Sequence, residues 1–176
     1  GNYADNRQAN FGYHDDSFAW ATVPRDGKGD DWFFVPKLKK AGLLEKWKEQ
    51  PIGGEIRPEV WSTVFTGKRK GQQQNFQKCV EQTHVSWLMD SGMFSDDFPQ
   101  NMERQKRAVE EVSRMGYVLH LAAVEFDGDE MRITVENRGV APFYYDWPVQ
   151  LRAGEPVATN WKLSKVLPGE PVVWSV

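Results

Sequence analysis

The chain has 176 residues, of which 40% are hydrophobic and 27% are charged, a composition that suits one large globular domain or two small ones. The net charge of −3 and the pI near 5.7 leave no basic excess to neutralise phosphates, which excludes nucleic acid as the main partner. The sequence holds no apolar run long enough to span a membrane, and Cys79 as the single cysteine excludes an internal disulfide and a cysteine-based zinc site.

The first part of the chain predicts a short strand, a polar loop and a short helix. Residues 11–23 open with a strand-like stretch that we expect to end in a pair of acidic residues. The Gly- and Asp-rich residues 24–31 predict a loop. Apolar residues recur at spacings of three and four over residues 36–49, which predicts an amphipathic helix that Gly42 weakens.

Three further elements are predicted before residue 116. Residues 51–56 form a short strand or a tight turn whose two glycines let a ligand approach the backbone closely. Residues 75–82 predict a helix. Residues 99–115 predict the longest helix, because a proline suits its first turn and a glycine follows its last residue. The predicted buried stripe of this helix consists of Met102, Val109, Val112 and Met115.

After Gly116 the hydrophobic period changes to alternation, which is typical of strands. Tyr117–Phe126 predicts a long strand, and Asp127-Gly128 predicts a two-residue hairpin turn. Further strands are expected over residues 131–135, 143–145, 149–152, 161–163 and 171–176. This pattern predicts a small antiparallel β-sandwich. The predicted fold class is therefore α+β, with an α/β segment over residues 1–115 and a β-sandwich over residues 116–176.

Two acidic residues are the candidate catalytic pair. Asp16 stands at the end of the first predicted strand, and Glu55 follows the glycine pair. Side chains at the C-terminal ends of strands line the active face of α/β barrels, and glycoside hydrolysis uses two carboxyl groups about 5 Å apart for retention or about 6.5–9.5 Å apart for inversion. The two acids form such a pair if their strands are neighbours. In the alternative interpretation, Asp15 or Asp16 caps a turn and Glu55 pairs with Arg57.

The eight tryptophans are an unusually large number for this length. Their flat faces stack on the CH faces of sugar rings, but they also fill protein cores. Trp20 and Trp32 flank the acidic loop, so they predict either a stacking wall for sugars or the edge of a core. The run Phe143–Trp147 is either a binding patch or a seam between the two segments.

Histidines complete the candidate site. His84 stands at a helix end beside Ser86 and Trp87, where it either donates a hydrogen bond to a hydroxylated ligand or packs structurally. His14 has no second histidine nearby, which disfavours a metal site, and no cofactor is predicted. The predicted substrate-binding residues are His14, Asp15, Trp20, Trp32, His84 and Trp87.

Five motifs follow one another along the chain. They are Phe11–Phe18 (FGYHDDSF), Pro51–Glu55 (PIGGE), His84–Leu88 (HVSWL), Met115–Leu119 (MGYVL) and Glu136–Phe143 (ENRGVAPF). Together, over about residues 11 to 174, they resemble a bacterial family known as domain-of-unknown-function family 4832, whose members resemble glycoside hydrolases. The resemblance implies a (β/α)8 barrel followed by a β-sandwich, of which this chain is the C-terminal portion. It places Asp16 and Glu55 on late barrel strands and His84 on the closing helix, and the family usually carries asparagine at the position of Asp15.

The resemblance implies a protein that binds or processes polysaccharide or oligosaccharide. Glu55 would stabilise an oxocarbenium-like centre and Asp16 would orient hydroxyl groups, although this chain alone is not expected to be catalytically competent. The alternatives are a non-catalytic carbohydrate-binding module and a structural β-domain that forms a homo-oligomer. The family favours a secreted or periplasmic protein; residues 1–6 carry no signal peptide, and both ends suggest that further chain precedes and follows.

Overall fold

The computed structural model describes residues 10–25, 29–98 and 101–176, and it is a mixed α+β structure. Its first part alternates strands and helices in the order β1 (His14–Phe18), α1 (Phe34–Lys40), β2 (Ile52–Ile56), α2 (Phe76–Thr83), β3 (Val85–Met89) and α3 (Met102–Val112). Its second part contains β4 (Leu119–Asp127), β5 (Glu130–Asn137), β6 (Pro148–Ala153), β7 (Glu155–Lys162) and β8 (Val172–Ser175). No helix in these ranges combines the length and the apolar character that crossing a membrane requires.

The first part is built on a parallel sheet of three strands in the order β1-β2-β3. His14 of β1 and Trp87 of β3 both lie opposite Gly53 of β2, so these three residues form one row across the sheet. A parallel pair needs a crossover connection, and α1 and α2 lie in the two crossovers. Because all three strands run in the same direction, their C-terminal ends meet at one edge.

Two hydrophobic clusters lie under one face of this sheet. In one cluster, Phe18, Ile56 and Val85 of the strands pack with Phe76 and Val80 of α2. In the other cluster, Tyr13 and Ile52 pack with Phe34 and Leu38 of α1 and with Trp47. Burial of such side chains stabilises the fold by about 25 cal/mol per Å² of apolar surface removed from water. The helices therefore cover one face, and the described residues on the opposite face of the strands are largely exposed.

Local sequence explains where α2 begins and where α1 ends. The Asn75 side chain accepts a hydrogen bond from the backbone N–H of Lys78, which caps α2 and confirms the helix predicted over residues 75–82. The helix predicted over residues 36–49 is wrong in extent: it ends at Lys40, because Gly42 takes a φ of 70°, and only a 3-10 turn over Lys46–Lys48 follows.

The stripe predicted for the long helix is wrong. Met102, Val109 and Val112 are exposed along α3, and Met115 lies beyond the last helical residue; the predicted start at residue 99 lies outside the described residues. The buried side chain of α3 is instead Arg104, whose guanidinium donates to the backbone carbonyls of Trp61, Val64 and Met93. Periodicity misses this arrangement, because a paired cation can take a core position that the pattern assigns to an apolar residue.

The second part consists of an antiparallel sheet in the order β4-β5-β8 and a β6-β7 hairpin. The hairpin turn after β4 is Gly128-Asp129 rather than the predicted Asp127-Gly128, since Asp127 pairs with Glu130. The predicted strand over residues 143–145 is wrong, because these residues form no ladder. Residues of both sheets share one hydrophobic cluster, in which the rings of Trp161 and Trp174 stack 5.2 Å apart.

The two parts interlock just after Gly116. The backbone of Gly116 accepts hydrogen bonds from Val140 and Ala141, and the Val140 side chain enters the cluster around α2. A Cβ on Gly139 would lie 2.4 Å from the carbonyl oxygen of Gly116, so only glycine fits this approach. The hydroxyl of Tyr144 donates to the Trp47 carbonyl oxygen at 2.7 Å. The chain after Gly116 therefore completes the core of the first part.

We expect Arg104→Met to lower the free energy of unfolding by about 2–4 kcal/mol, because it leaves three backbone carbonyls without their buried donor. The matched control is Arg107→Met, which removes the exposed ion pair with Glu103 and no buried hydrogen bond to a backbone carbonyl, and it should cost less than about 1 kcal/mol. Urea unfolding of both variants checks this expectation. Equal effects of the two substitutions would contradict the structural role given to Arg104.

Candidate functional site

The face that the helices leave uncovered carries four of the candidate residues: His14 and Asp16 of β1, Glu55 of β2 and Trp87 of β3. Asp15 is buried, whereas His14 and Asp16 on either side of it are exposed, as the alternation of a strand requires. Glu55 lies two residues after Gly53, so it points to the same face as His14 and Trp87. The neighbouring residues Asp15 and Asp16 lie inside β1 rather than at its predicted end, because the strand continues to Phe18, which pairs with Ile56.

The indole of Trp87 lies directly over Gly53. A Cβ on Gly53 would stand 2.0 Å from Cε2 of this ring, closer than any real contact. The His14 ring lies beside the indole, with ring centroids 5.5 Å apart, and 45% of the Trp87 surface stays exposed. The glycine expected to admit a ligand therefore admits a tryptophan ring, which gives the sheet a flat aromatic surface.

Neither carboxylate of this face forms an ion pair with the nearby cation Arg57, although the charges of both raise its pKa. Arg57 follows the last residue of β2, and its pKa is raised chiefly by its hydrogen bond to Glu59 and further by the charges of Asp16 and Glu55. The ion pair of Arg57 is with Glu59, at 2.7 Å, and not with Glu55 as the alternative interpretation expected. Asp16 accepts a hydrogen bond from the Ser17 hydroxyl, and no ion pair to Glu55 exists among the described residues.

Aromatic rings extend this edge of the sheet beyond β1. The guanidinium carbon of Arg57 lies 5.0 Å from the centroid of the Trp20 ring, and the rings of Trp20 and Trp32 lie 5.9 Å apart. Trp32 is exposed, while Trp20 is half-buried against the core around α2. Trp20 thus forms an edge of the core, and its ring also lies against the Arg57 guanidinium.

Asp15 lies on the opposite, helix-covered face. It is only 3% exposed, and its carboxylate accepts hydrogen bonds from the Ser17 backbone and the Thr22 hydroxyl. Thr22 in turn accepts from the backbone of Ala19, a non-glycine residue with a φ of 64°. Burial raises the pKa of Asp15, although these hydrogen bonds oppose the shift. The structure therefore gives Asp15 the turn-stabilising role of the alternative interpretation and separates it from the other site residues.

His84 is also separated from the carboxylates. It is the C-cap of α2 with a φ of 53°, immediately before β3, and so stands at the N-terminal edge of the sheet. Its ring stacks on Trp47 at 3.7 Å, and its Nδ1 lies 2.6 Å from the Val140 carbonyl oxygen. Burial lowers its pKa. These contacts assign His84 to the junction between the two parts of the chain, whereas the prediction placed it beside the ligand.

Sequence reasoning missed the part played by Arg57 at this site. It assigned Arg57 only as an ion-pair partner of Glu55, whereas the guanidinium lies over Trp20 and is held by Glu59. The sequence signal for this ion pair was the position of Arg57 and Glu59 on either side of Pro58. Among the described residues, no group of three or more His, Cys, Asp or Glu side chains is arranged to hold a metal ion.

The uncovered face combines acidic, cationic and flat aromatic groups. Carboxylates accept hydrogen bonds from hydroxyl groups, a guanidinium donates them, and indole faces stack on apolar ring faces. Such groups can contact hydroxyl groups and the apolar face of a ring.

No family model, no curated protein and no solved structure matches this chain. The resemblance to family 4832, with the residue roles that it implies, therefore stays a prediction.

We expect Gly53→Ala to destabilise the chain by about 1–3 kcal/mol, because the new methyl group occupies the space of the Trp87 ring. Gly29→Ala is the matched control, since a Cβ there meets nothing within 4 Å. In a double-mutant cycle, Trp87→Ala should remove most of the cost of Gly53→Ala. Additive effects in urea unfolding would show that the two residues do not compete for this space.

The raised pKa of Asp15 predicts a pH-dependent effect of Asp15→Asn. Above about pH 4, the unfolded chain loses this proton while the folded chain keeps it, so the contribution of Asp15 to stability falls as pH rises towards the folded-state pKa. The variant lacks this loss, so its free energy of unfolding should gain on that of the wild type as the pH rises above the unfolded-state pKa of about 4. Urea unfolding across this range measures the difference, and a constant difference would contradict the prediction.

Proposed function

We propose that this chain is the C-terminal portion of a glycoside-hydrolase-like protein that binds or processes polysaccharide, and that the surface around Trp87, Glu55 and Asp16 contacts the sugar. The observation that carries the proposal is that the parallel register of the three strands brings Asp16, Glu55 and the exposed Trp87 indole to one face of the sheet. This placement combines groups that recognise hydroxyls with groups that stack on pyranose rings.

The layering of the first part supports a barrel origin for its sheet. Open α/β sheets carry helices on both faces, whereas the strands of a (β/α)8 barrel carry helices only on the outside. Here α1 and α2 pack on one face, and the residues that bear chemistry lie on the other. In a barrel this second face is the interior, and residues near the C-terminal strand ends belong to the active face.

The second part supports the proposed sandwich. Ile133 and Val135 of β5 share a cluster with Trp161 of β7, so apolar side chains of the two antiparallel sheets pack on each other. Its junction with the first part runs through Val140 and Tyr144. In the proposed protein, this domain braces the N-terminal edge of the parallel sheet, opposite the edge that follows Glu55.

Within this proposal, Glu55 stabilises an oxocarbenium-like centre and Asp16 orients hydroxyl groups. Glu55 is half-buried and is not neutralised by an ion pair among the described residues, so its charge is available to a ligand. A second carboxyl group for acid–base chemistry would come from Asp16 or from a preceding strand of a longer protein.

We expect Trp87→Ala to weaken binding of a soluble polysaccharide by about tenfold, because it removes the flat surface over Gly53. Affinity gel electrophoresis of the whole chain in xylan, β-glucan, galactomannan and starch measures the effect, and Trp87→Phe, which keeps a ring, is the matched control. Binding that survives Trp87→Ala unchanged would contradict the proposed surface.

Glu55→Gln separates an enzyme from a binding module. In a full-length protein that hydrolyses polysaccharide, it should lower turnover by at least about a hundredfold while binding persists, because it removes charge that is needed only in the transition state. In the non-catalytic alternative, Glu55→Gln leaves affinity intact, whereas loss of Trp20 or Trp32 abolishes it. Unchanged hydrolysis by the Glu55→Gln variant would exclude the catalytic role.

A further inference from the structure

The segment Phe143–Trp147 lies between β5 and β6, and its odd- and even-numbered side chains make different kinds of contact. Phe143, Tyr145 and Trp147 contact one another through their rings. Tyr144 and Asp146 instead make polar contacts with other parts of the chain. Of the two interpretations that the sequence left open for this run, Tyr144 therefore supports the seam, whereas the binding patch stays a prediction.

Polar contacts fix one side of this segment. The Tyr144 hydroxyl donates to the Trp47 carbonyl oxygen at 2.7 Å and accepts from the Ser86 hydroxyl at 3.3 Å. The Asp146 carboxylate pairs with the Lys162 ammonium at 3.1 Å and accepts from the Ser164 hydroxyl. These contacts tie the segment to the parallel sheet and to the residues that end and follow β7, so the aromatic side is held in place before any ligand arrives.

The other side presents two large rings to solvent. Tyr145 is 65% exposed and Trp147 is 59% exposed, and their rings stack with centroids 5.6 Å apart and planes at 25°. The centroid of the buried Phe143 ring lies 5.7 Å from that of Tyr145 and 5.2 Å from that of Trp147, so this ring supports both of them. Phe143 also makes an edge contact with Tyr117, with ring centroids 5.0 Å apart. Because contacts with Phe143 already hold these exposed rings, they lose little conformational freedom when a ligand covers them.

The polar ends of these rings have no hydrogen-bond partner in the part of the chain that the structure describes. This holds for the Tyr145 hydroxyl, the Trp147 indole N–H and the Tyr117 hydroxyl. A ligand on this surface therefore meets apolar ring faces and unpaired hydrogen-bonding groups side by side. A saccharide has this combination, because a pyranose ring has an apolar CH face and a rim of hydroxyl groups.

We propose that Tyr145 and Trp147 form a second saccharide-binding platform, supported by Phe143 and Tyr117. The choice of a saccharide as ligand rests on the proposed function, but the platform is separate from the carboxylate surface. Tyr144 ties it to Trp47 and Ser86, next to the N-terminal ends of β2 and β3, whereas Arg57 marks the opposite edge of the sheet. The platform holds a polysaccharide chain without contacting the carboxylates.

The test compares the whole chain with Trp147→Ala, Tyr145→Ala and the double variant by affinity gel electrophoresis in xylan, β-glucan, galactomannan and starch. We expect the double variant to bind at least about tenfold more weakly than the wild type to each polysaccharide that retards the wild type. Trp147→Phe, which keeps a ring, should bind more tightly than Trp147→Ala. Because both side chains are exposed, circular dichroism and urea unfolding should be unchanged.

Three results would overturn the platform. Two of them are unchanged retardation of the double variant and no retardation of the wild type by any of the four polysaccharides. The other is a wild type that sediments as a dimer and a double variant that sediments as a monomer, which would assign the rings to a protein interface. Trp87→Ala distinguishes the two proposals: polysaccharide binding that is lost with Trp147 and retained without Trp87 supports the platform and contradicts the carboxylate surface, and the reverse result does the opposite.

Discussion

Parallel pairing of three short strands, covered by helices on one side only, is the constraint on which the rest of this structure depends. It places β1 beside β2, so that Asp16 and Glu55, which are 39 positions apart in the sequence, lie on neighbouring strands. It also leaves the opposite face of the strands open to solvent, where a buried parallel sheet would carry only apolar side chains. The placement of the chemistry-bearing residues therefore follows from the topology.

Residues that touch no ligand hold the candidate surface in shape. The absent side chain of Gly53 gives the Trp87 indole its position, and the carboxylate of Asp15 ties Thr22 and Ser17 into the turn after β1. That turn carries Trp20 towards Arg57. At the other edge, His84 connects α2 to the second part of the chain. Asp15 and His84, which the sequence predicted as binding residues, thus have structural roles around the groups that remain candidates for binding.

Sequence patterns predicted the elements that depend on local chemistry and missed those that depend on distant contacts. The Asn75 cap and the alternation over residues 131–135 are local signals, and the corresponding helix and strand are confirmed. The burial of Arg104 depends on carbonyls about 10 to 45 positions away, which no helical period contains. Likewise, the sequence predicted Asp16 and Glu55 as a pair only if their strands were neighbours, and the pairing of β1 with β2 is a contact between distant residues. The position of His84 depends on Val140 of the second part, which lies outside the motif that contains His84.

The eight tryptophans provide the most direct test of the central claim, that a hydroxylated ring binds the uncovered face of the parallel sheet. Each indole N–H gives its own NMR signal, so a titration with xylan, β-glucan and galactomannan oligosaccharides shows which rings meet the ligand. We expect saturable shifts of the indole N–H signals of Trp87 and Trp20, and no shift for Trp161, which is buried in the cluster that the antiparallel sheets share. Signals of Trp87 and Trp20 that stay in place with every oligosaccharide would contradict the central claim.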